Sequence, residues 1–281
     1  MKGKSMDKTI YISDLDGTLL NSRRQVSKRS ETLLNKLIDE KEIHFSVATA
    51  RTPATVEHLL SEVHMKQPIV VMNGVALYDL QKHEYSQVEY ISSEISKQII
   101  EKLGKWIEQG FIYTIYNHRL TVHYNQLQEK GRRNFYEERK NLEHKKFTNE
   151  PLVHHDRIIY FVFIDSKENI QAIYDLLADI EGIGAVMYRD VYSKESYLLE
   201  VYSIKATKAN GIKKLRKLGS FTKVIGFGDQ LNDMTMFQEA DEAYAVGNAV
   251  KELKKIATAV IGTNDEDSVA QYINKHVNHE N

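Results

Sequence analysis

The chain has 281 residues, a formal net charge of −1, 42% hydrophobic and 27% charged residues, and no cysteine. The length suits two domains better than one core, and the even charge balance offers nucleic acid no basic field. A disulfide framework, a thiol nucleophile and a zinc–thiolate site are excluded, and no apolar run approaches the roughly 20 residues of a membrane span.

Charged Asp7 and Lys8, rather than the apolar stretch of a signal peptide, precede the first strand-like run, so cytoplasmic residence is the expectation. That run, Thr9-Ile10-Tyr11-Ile12, ends at Asp14-Leu15-Asp16-Gly17-Thr18-Leu19. Two carboxylates thus stand two residues apart where a buried strand gives out, and Gly17 lets the chain leave by a path a Cβ forbids. By itself this also reads as a solvated turn with Asp16 capping a helix. Ser27 to Glu42 reads as a helix with Leu33, Leu34, Leu37 and Ile38 on one stripe, and Ile43 to Thr49 as the next strand. Strand, helix and strand of this length make a parallel unit, which brings Thr49 to the sheet edge that holds Asp14. Ala50, Arg51 and Thr52 lead to Pro53 at a helix start. Alone, Thr49 reads as a helix cap and Arg51 as a surface residue. Pro68 to Met72 is a third strand, and Asn73-Gly74 after it is a turn signal.

From about residue 80 the pattern changes. Ile91, Ile95, Ile99, Leu103 and Ile107 recur every four residues and predict one amphipathic helix. Phe111 to Asn117 and Leu120 to Tyr124 read as paired strands, Gln126 to Asn141 as a solvated helix, and Ile158 to Ile164 as a buried strand. Ile170, Ile173, Leu177 and Ile180 mark a helix before two more strands, Ala185 to Arg189 and Leu198 to Tyr202. His154-His155-Asp156 lacks metal-ligand spacing and reads as a polar loop. Tyr113, Tyr116 and Tyr124 suit a half-buried sheet without a basic stripe for nucleic acid. Further on, Ala206-Thr207-Lys208-Ala209 opens a helix with Ile212, Leu215 and Leu218 on one side. The strand Lys223 to Gly228 then delivers Asp229, and Gln230-Leu231-Asn232-Asp233 begins a helix that places two carboxylates on one face. Those acids also suit a helix dipole.

Asp14-Leu15-Asp16-Gly17-Thr18, Ala48-Thr49-Ala50-Arg51, Lys208 at a helix opening and Gly228-Asp229-Gln230-Leu231-Asn232-Asp233 resemble, in order, the four motifs of the haloacid dehalogenase superfamily. Asn73-Gly74, Val246-Gly247-Asn248-Ala249 and Asn264 to Ala270 resemble further segments of its Cof-like branch. Three positions depart from the pattern: Ala50 and Ala209 stand where the family commonly has Gly, and so does Ser268. The resemblance implies an α/β fold: a Rossmann-like parallel-sheet core over 1–79 and 204–281, with an inserted α/β cap over 80–203 that selects the substrate. It implies a Mg²⁺-dependent phosphatase of small phosphorylated metabolites. Asp14 would be the nucleophile and Asp16 the acid and base. Asp14, the Asp16 carbonyl and Asp229 would hold the ion, with Asp233 as ligand or support. Leu15, Thr49, Ala50, Lys208 and Asn232 would bind phosphoryl oxygens, and Arg51, Asn73 and Gly74 would face the substrate. These residue types are the ones phosphoryl transfer requires on charge grounds.

Three other readings stand beside it. A sugar-phosphate mutase would return the phosphoryl group to sugar rather than water. A signalling receiver would need only about one domain, roughly 120 residues, with its phosphorylated Asp after a later strand. A phosphate-responsive regulatory protein would lack turnover. The oligomeric state is not legible.

Overall fold

The computed structural model describes residues 8–189 and 196–279, so Asp7 lies outside the described residues. The chain divides into two compact units, Met1–Gln87 with Thr207–Asn281, and Val88–Ala206. Among the described residues no helix is long and apolar enough to cross a membrane.

The first unit begins with β1 (Thr9–Ser13), α1 (Lys28–Glu40), β2 (His44–Val47), α2 (Pro53–Leu60) and β3 (Ile69–Val71). The hairpin β4 (Ala76–Asp79) and β5 (Glu84–Ser86) follows. The second unit holds α3 (Ser93–Leu103), β6 (Gly110–Tyr116), β7 (Arg119–Tyr124), α4 (Lys130–Glu137), β8 (Lys145–Thr148), β9 (Ile158–Asp165), α5 (Lys167–Leu177), β10 (Ile183–Arg189) and β11 (Tyr197–Ser203). The first unit resumes with α6 (Lys208–Gly219), β12 (Lys223–Gly228), α7 (Met234–Glu239), β13 (Glu242–Ala245), α8 (Lys251–Ile256), β14 (Ala259–Val260) and α9 (Ser268–His279).

In the first unit five strands run in the order β14-β13-β12-β1-β2, every pairing parallel. A parallel bridge from Ala48 to Val70 carries the sheet on toward β3. The central strands are apolar on both faces, as parallel strands between helices must be: Ile10, Ile12, Val224, Ile225 and Phe227 have no exposed surface. β1 and β12 run in register from Thr9 opposite Lys223 to Ser13 opposite Phe227, so both end at one level of the sheet. α1 opens on Ser27, whose side chain accepts from the Ser30 amide, and buries Leu34, Leu37 and Ile38, with Leu33 only half-buried.

The second unit is one six-stranded sheet, order β10-β11-β9-β6-β7-β8, antiparallel except where β7 meets β8. One face packs Phe161, Phe163, Leu199 and Val201 against Ile99 and Leu103 of α3 and Ile170, Ile173 and Leu177 of α5. Tyr113 and Tyr160 pack edge to face on the other, with ring centroids 6.2 Å apart. Asn117 and His118, both with positive φ, close the β6–β7 hairpin.

The structure revises several expected elements. The fourfold isoleucine spacing is not one helix. Ser92 caps α3, so Ile91 precedes it, and Gly104 (φ 50°) ends it before Ile107, which lies in a 3₁₀ turn. The solvated helix shrinks to α4 and is not wholly solvated. Arg132 is buried, its guanidinium 3.7 Å from Asp165 and donating to the Gln109 carbonyl. Leu218, expected on the apolar side of α6, is 55% exposed. The strands β5 and β8 carry too few apolar residues to announce themselves, and β4, though apolar, is only four residues long. His154 stacks on Tyr116 and Asp156 pairs with Arg157, in keeping with a polar loop.

Candidate active site

The site grows from the adjacent ends of β1 and β12. Asp14 leaves β1 with its amide donating to the Phe227 carbonyl at 2.8 Å, a last rung of the parallel ladder. Asp229 leaves β12 one residue past Gly228, so the two carboxylates arrive side by side because the strands are in register. Between them the chain turns at Gly17 (φ 78°). A Cβ there would lie 2.4 Å from Asp229 Oδ2, so glycine is needed for both angle and space. Thr18 Oγ1 donates to Asp229 Oδ1 at 3.1 Å.

Lys208 enters from the first turn of α6, placed by Thr207, whose side chain caps that helix by accepting from the Asn210 amide. Its ammonium is almost wholly buried, donating to Asp14 Oδ1 and, at 2.6 Å, to Asp233 Oδ1. Asp233 does not share a helix face with Asp229, as the spacing had suggested. Asp229 precedes the helix start, and Asp233 reaches back to it from a 3₁₀ turn. Asp233 Oδ2 accepts from the amides of Asp229 at 2.9 Å and Gln230 at 3.1 Å. Both oxygens of Asp233 are therefore committed to donors of this chain.

Three carboxylates and one ammonium thus share a buried space, with oxygen atoms of Asp14, Asp229 and Asp233 all within 4.8 Å of one another. Burial pushes the Asp14 carboxyl up to about 7 against the pull of Lys208. Burial also raises Asp229, and the neighbouring charge of Asp233 raises it further. Burial alone would lower Lys208, but the charges of Asp14 and Asp233 together hold it above its ordinary value. A buried cluster with one more anion than its lysine and a single cation can neutralise is what a hard divalent ion with oxygen ligands fits.

The remaining candidates surround this cluster. Thr49 is buried at the end of the second strand, and its hydroxyl oxygen accepts from the Arg51 amide at 3.1 Å. Leu15 is buried and its carbonyl accepts from the Leu20 amide, while Ala50 is exposed. The Asn73 amide donates to the Thr49 carbonyl at 2.9 Å, and Asn232 Nδ2 lies 3.5 Å from Asn73 Oδ1. Gly74 (φ 102°) is a packing residue: a Cβ there would lie 1.9 Å from the Thr207 carbonyl oxygen, so its turn touches the cap of α6. Asp16 stands apart from the buried cluster. Its side chain is 49% exposed, and both oxygens accept from Arg51, Nε and Nη2 each at 2.7 Å. Sequence reasoning missed Asn248, whose amide donates to the Gly17 carbonyl at 2.7 Å and whose carbonyl oxygen accepts from the Asn264 amide. The signal was the Gly-Asn pair after β13, noted without a role.

Residues 11–273 match the family of haloacid dehalogenase-like hydrolases. Phosphatase YwpJ of Bacillus subtilis is 27% identical over 294 residues, covering 94% of this chain and 98% of that protein. The 5-amino-6-(5-phospho-D-ribitylamino)uracil phosphatase YwtE of the same organism is 25% identical, covering 93% and 96%. The crystal structure of TM0651 from Thermotoga maritima superposes with a TM-score of 0.72 at 21% identity, covering 95% of this chain and 96% of that one. The chain belongs to the haloacid dehalogenase-like hydrolases, as a Cof-like phosphatase.

Proposed function

We propose that the chain is a Mg²⁺-dependent phosphatase of small phosphorylated metabolites, acting through a phosphoryl group carried on Asp14. The observation that carries this is the buried cluster of Asp14, Asp229, Asp233 and Lys208 at the ends of β1 and β12. Asp14, Asp229 and the Asp16 carbonyl would hold the ion. Asp233, with both oxygens engaged, would orient Lys208 and the Asp229 loop instead. When bound, the ion offsets phosphate charge so that an anionic nucleophile can approach.

An Asp14 oxygen attacks phosphorus in line, and the bond from phosphorus to the substrate oxygen breaks. Asp16 gives that leaving oxygen its proton, then takes one from the water that attacks the phosphoryl group. Phosphate leaves and the Asp14 carboxylate is restored. Lys208, Thr49, Asn232 and the amides of Leu15 and Ala50 bind the phosphoryl oxygens. The second unit carries none of these residues, and we assign it the selection of the organic group.

The test is phosphate release from a panel of phosphorylated metabolites, with Mg²⁺ and with chelator, for wild type and Asp14→Asn. The panel includes 5-amino-6-(5-phospho-D-ribitylamino)uracil, the compound named for YwtE. The expected result is metal-dependent release, lowered by about 10³-fold or more in the variant. No release from any compound would overturn the hydrolase reading. Little phosphate release, with isomerisation of a sugar phosphate activated by a bisphosphorylated sugar, would favour a mutase.

A further inference from the structure

Asp16, the proposed acid and base, is held apart from the buried cluster by a single arginine. Each of its two oxygens accepts a 2.7 Å bond from one edge of the Arg51 guanidinium, a bidentate fork. Each oxygen keeps a second lone pair, but the fork fixes the plane of the carboxylate on Arg51, so Asp16 turns toward a leaving-group oxygen only when at least one of these bonds breaks. The arginine is itself anchored, with Nη1 donating to the Thr55 carbonyl of α2 at 3.2 Å. Its backbone belongs to the turn of a proposed phosphate ligand, because the Arg51 amide donates to Thr49 Oγ1. With that lone pair occupied, the Thr49 proton is left to point toward an acceptor elsewhere. A guanidinium edge fits two phosphoryl oxygens as well as two carboxylate oxygens. A phosphoryl group arriving at Thr49 would therefore compete with Asp16 for the guanidinium of a residue two positions along the chain.

Resting on the phosphatase reading, we propose that Arg51 is a positioning residue that holds Asp16 idle in the empty site and releases it when phosphoryl oxygens of the bound monoester take over its guanidinium. The device couples the availability of the acid to occupancy of the site. It assigns Arg51 two alternating partners, where the sequence had offered only a substrate contact.

Two readouts test it. The first needs no turnover: the ¹⁵N-edited Nε–H resonance of Arg51, assigned by its loss in Arg51→Lys, in wild type and in Asp16→Asn, each with Mg²⁺. The fork predicts a downfield signal in wild type that moves upfield in Asp16→Asn. It also predicts movement in wild type when inorganic phosphate is added to saturation of its inhibition or binding. The same position in both proteins, or no response to saturating phosphate, would overturn the proposal. The second is steady-state turnover of an alkyl phosphate by Arg51→Ala and Arg51→Lys. Because bound substrate has already opened the latch at saturation, the proposal predicts a KM at least tenfold higher and a kcat within about threefold of wild type for Arg51→Ala, with Arg51→Lys recovering part of the KM. A kcat that falls tenfold at unchanged KM would show instead that Arg51 supports the working position of Asp16, and would overturn the latch. Should wild type release no phosphate from any compound, the phosphatase reading fails, and the comparison of wild type with Asp16→Asn still decides whether the fork exists.

Discussion

The two units solve the same problem, a sheet with helices to cover it, in opposite ways, and they differ in where they put charge. In the first unit parallel strands end together, and polar groups collect at that end: Asp14, Lys208, Asp229 and Asp233 are all buried. In the second unit the antiparallel sheet gives its helix-covered face to isoleucine, leucine and phenylalanine, and the other bears tyrosines. The first unit therefore carries a high electrostatic cost that only chemistry explains, since a buried ion pair is weak evidence for stability. The second carries an apolar core, with the buried Arg132 beside Asp165 as a lesser burial of charge. Changing a charged group in the first should harm activity and folding together. Changing an apolar group in the second should cost stability alone.

The largest combined loss of stability and turnover is expected at Lys208. Lys208→Met would remove the cation that both Asp14 and Asp233 face, leaving two buried carboxylates without their shared partner. Breaking a buried pair from one side costs about 3–5 kcal/mol. Loss of a positioned cation at a phosphoryl site costs on the order of 10²–10³ in kcat. Urea unfolding and phosphate release on the same preparation check both. A variant that keeps full stability and full turnover would erase the contrast between the units.

Legibility divides along the same line. Asp14, Thr49 and Asp229 were readable as neighbours because parallel strands deliver their last residues to one edge, whereas Lys208, which opens α6, was legible only through the family pattern. The sequence could not show that Asp233 turns back to bond the Asp229 amide, because i to i+4 spacing suggests a shared helix face whether or not a helix has begun. Nor could it show the Arg51–Asp16 fork, which spans 35 positions of sequence, or Asn248 clamping Gly17 across 231. In the second unit only periodicity was available. Periodicity overran the end of α3, since Gly104 breaks a repeat that the isoleucines continue, and it passed over β8, whose Lys145-Lys146-Phe147-Thr148 alternates too little to signal a strand.

A core truncation in the second unit supplies the opposite arm of the comparison. Phe163 is 1% exposed on β9, among α3, α5 and β11, and its ring covers Gly110, where a Cβ would lie 2.6 Å from Cε1. Phe163→Ala should cost about 3–4 kcal/mol from lost burial and the cavity left behind. The four buried charged groups of the first unit are untouched by it. Urea unfolding of the variant beside that of Lys208→Met tests whether a loss of stability alone reproduces the loss of turnover.

The smallest effect has the opposite sign. Lys145 on β8 is the second unit's closest counterpart to Lys208, yet its ammonium faces rings rather than carboxylates, 5.6 Å from the Tyr113 centroid and 6.0 Å from that of Phe147. Burial, with help from the charge of Arg139, pulls it down to about 8. The folded protein thus holds this proton more weakly than the unfolded chain does. The resulting penalty is complete below about pH 8 and shrinks as pH rises toward the ordinary lysine value. Lys145→Met keeps the length of the side chain and removes the charge, at the loss of the cation–π contacts, about 0.5–1 kcal/mol. The net expectation is a gain of about 1–2 kcal/mol at pH 7. That gain should largely disappear by about pH 11, above the ordinary lysine value, where the side chain is neutral in the folded and the unfolded protein alike and no longer penalised. Urea midpoints of both proteins at the two pH values measure it. A gap that stays constant between them would mean that packing rather than charge separates the two side chains. Of the two lysines, the buried Lys208 and the half-buried Lys145, Lys208 would then be the one whose charge matters to the fold.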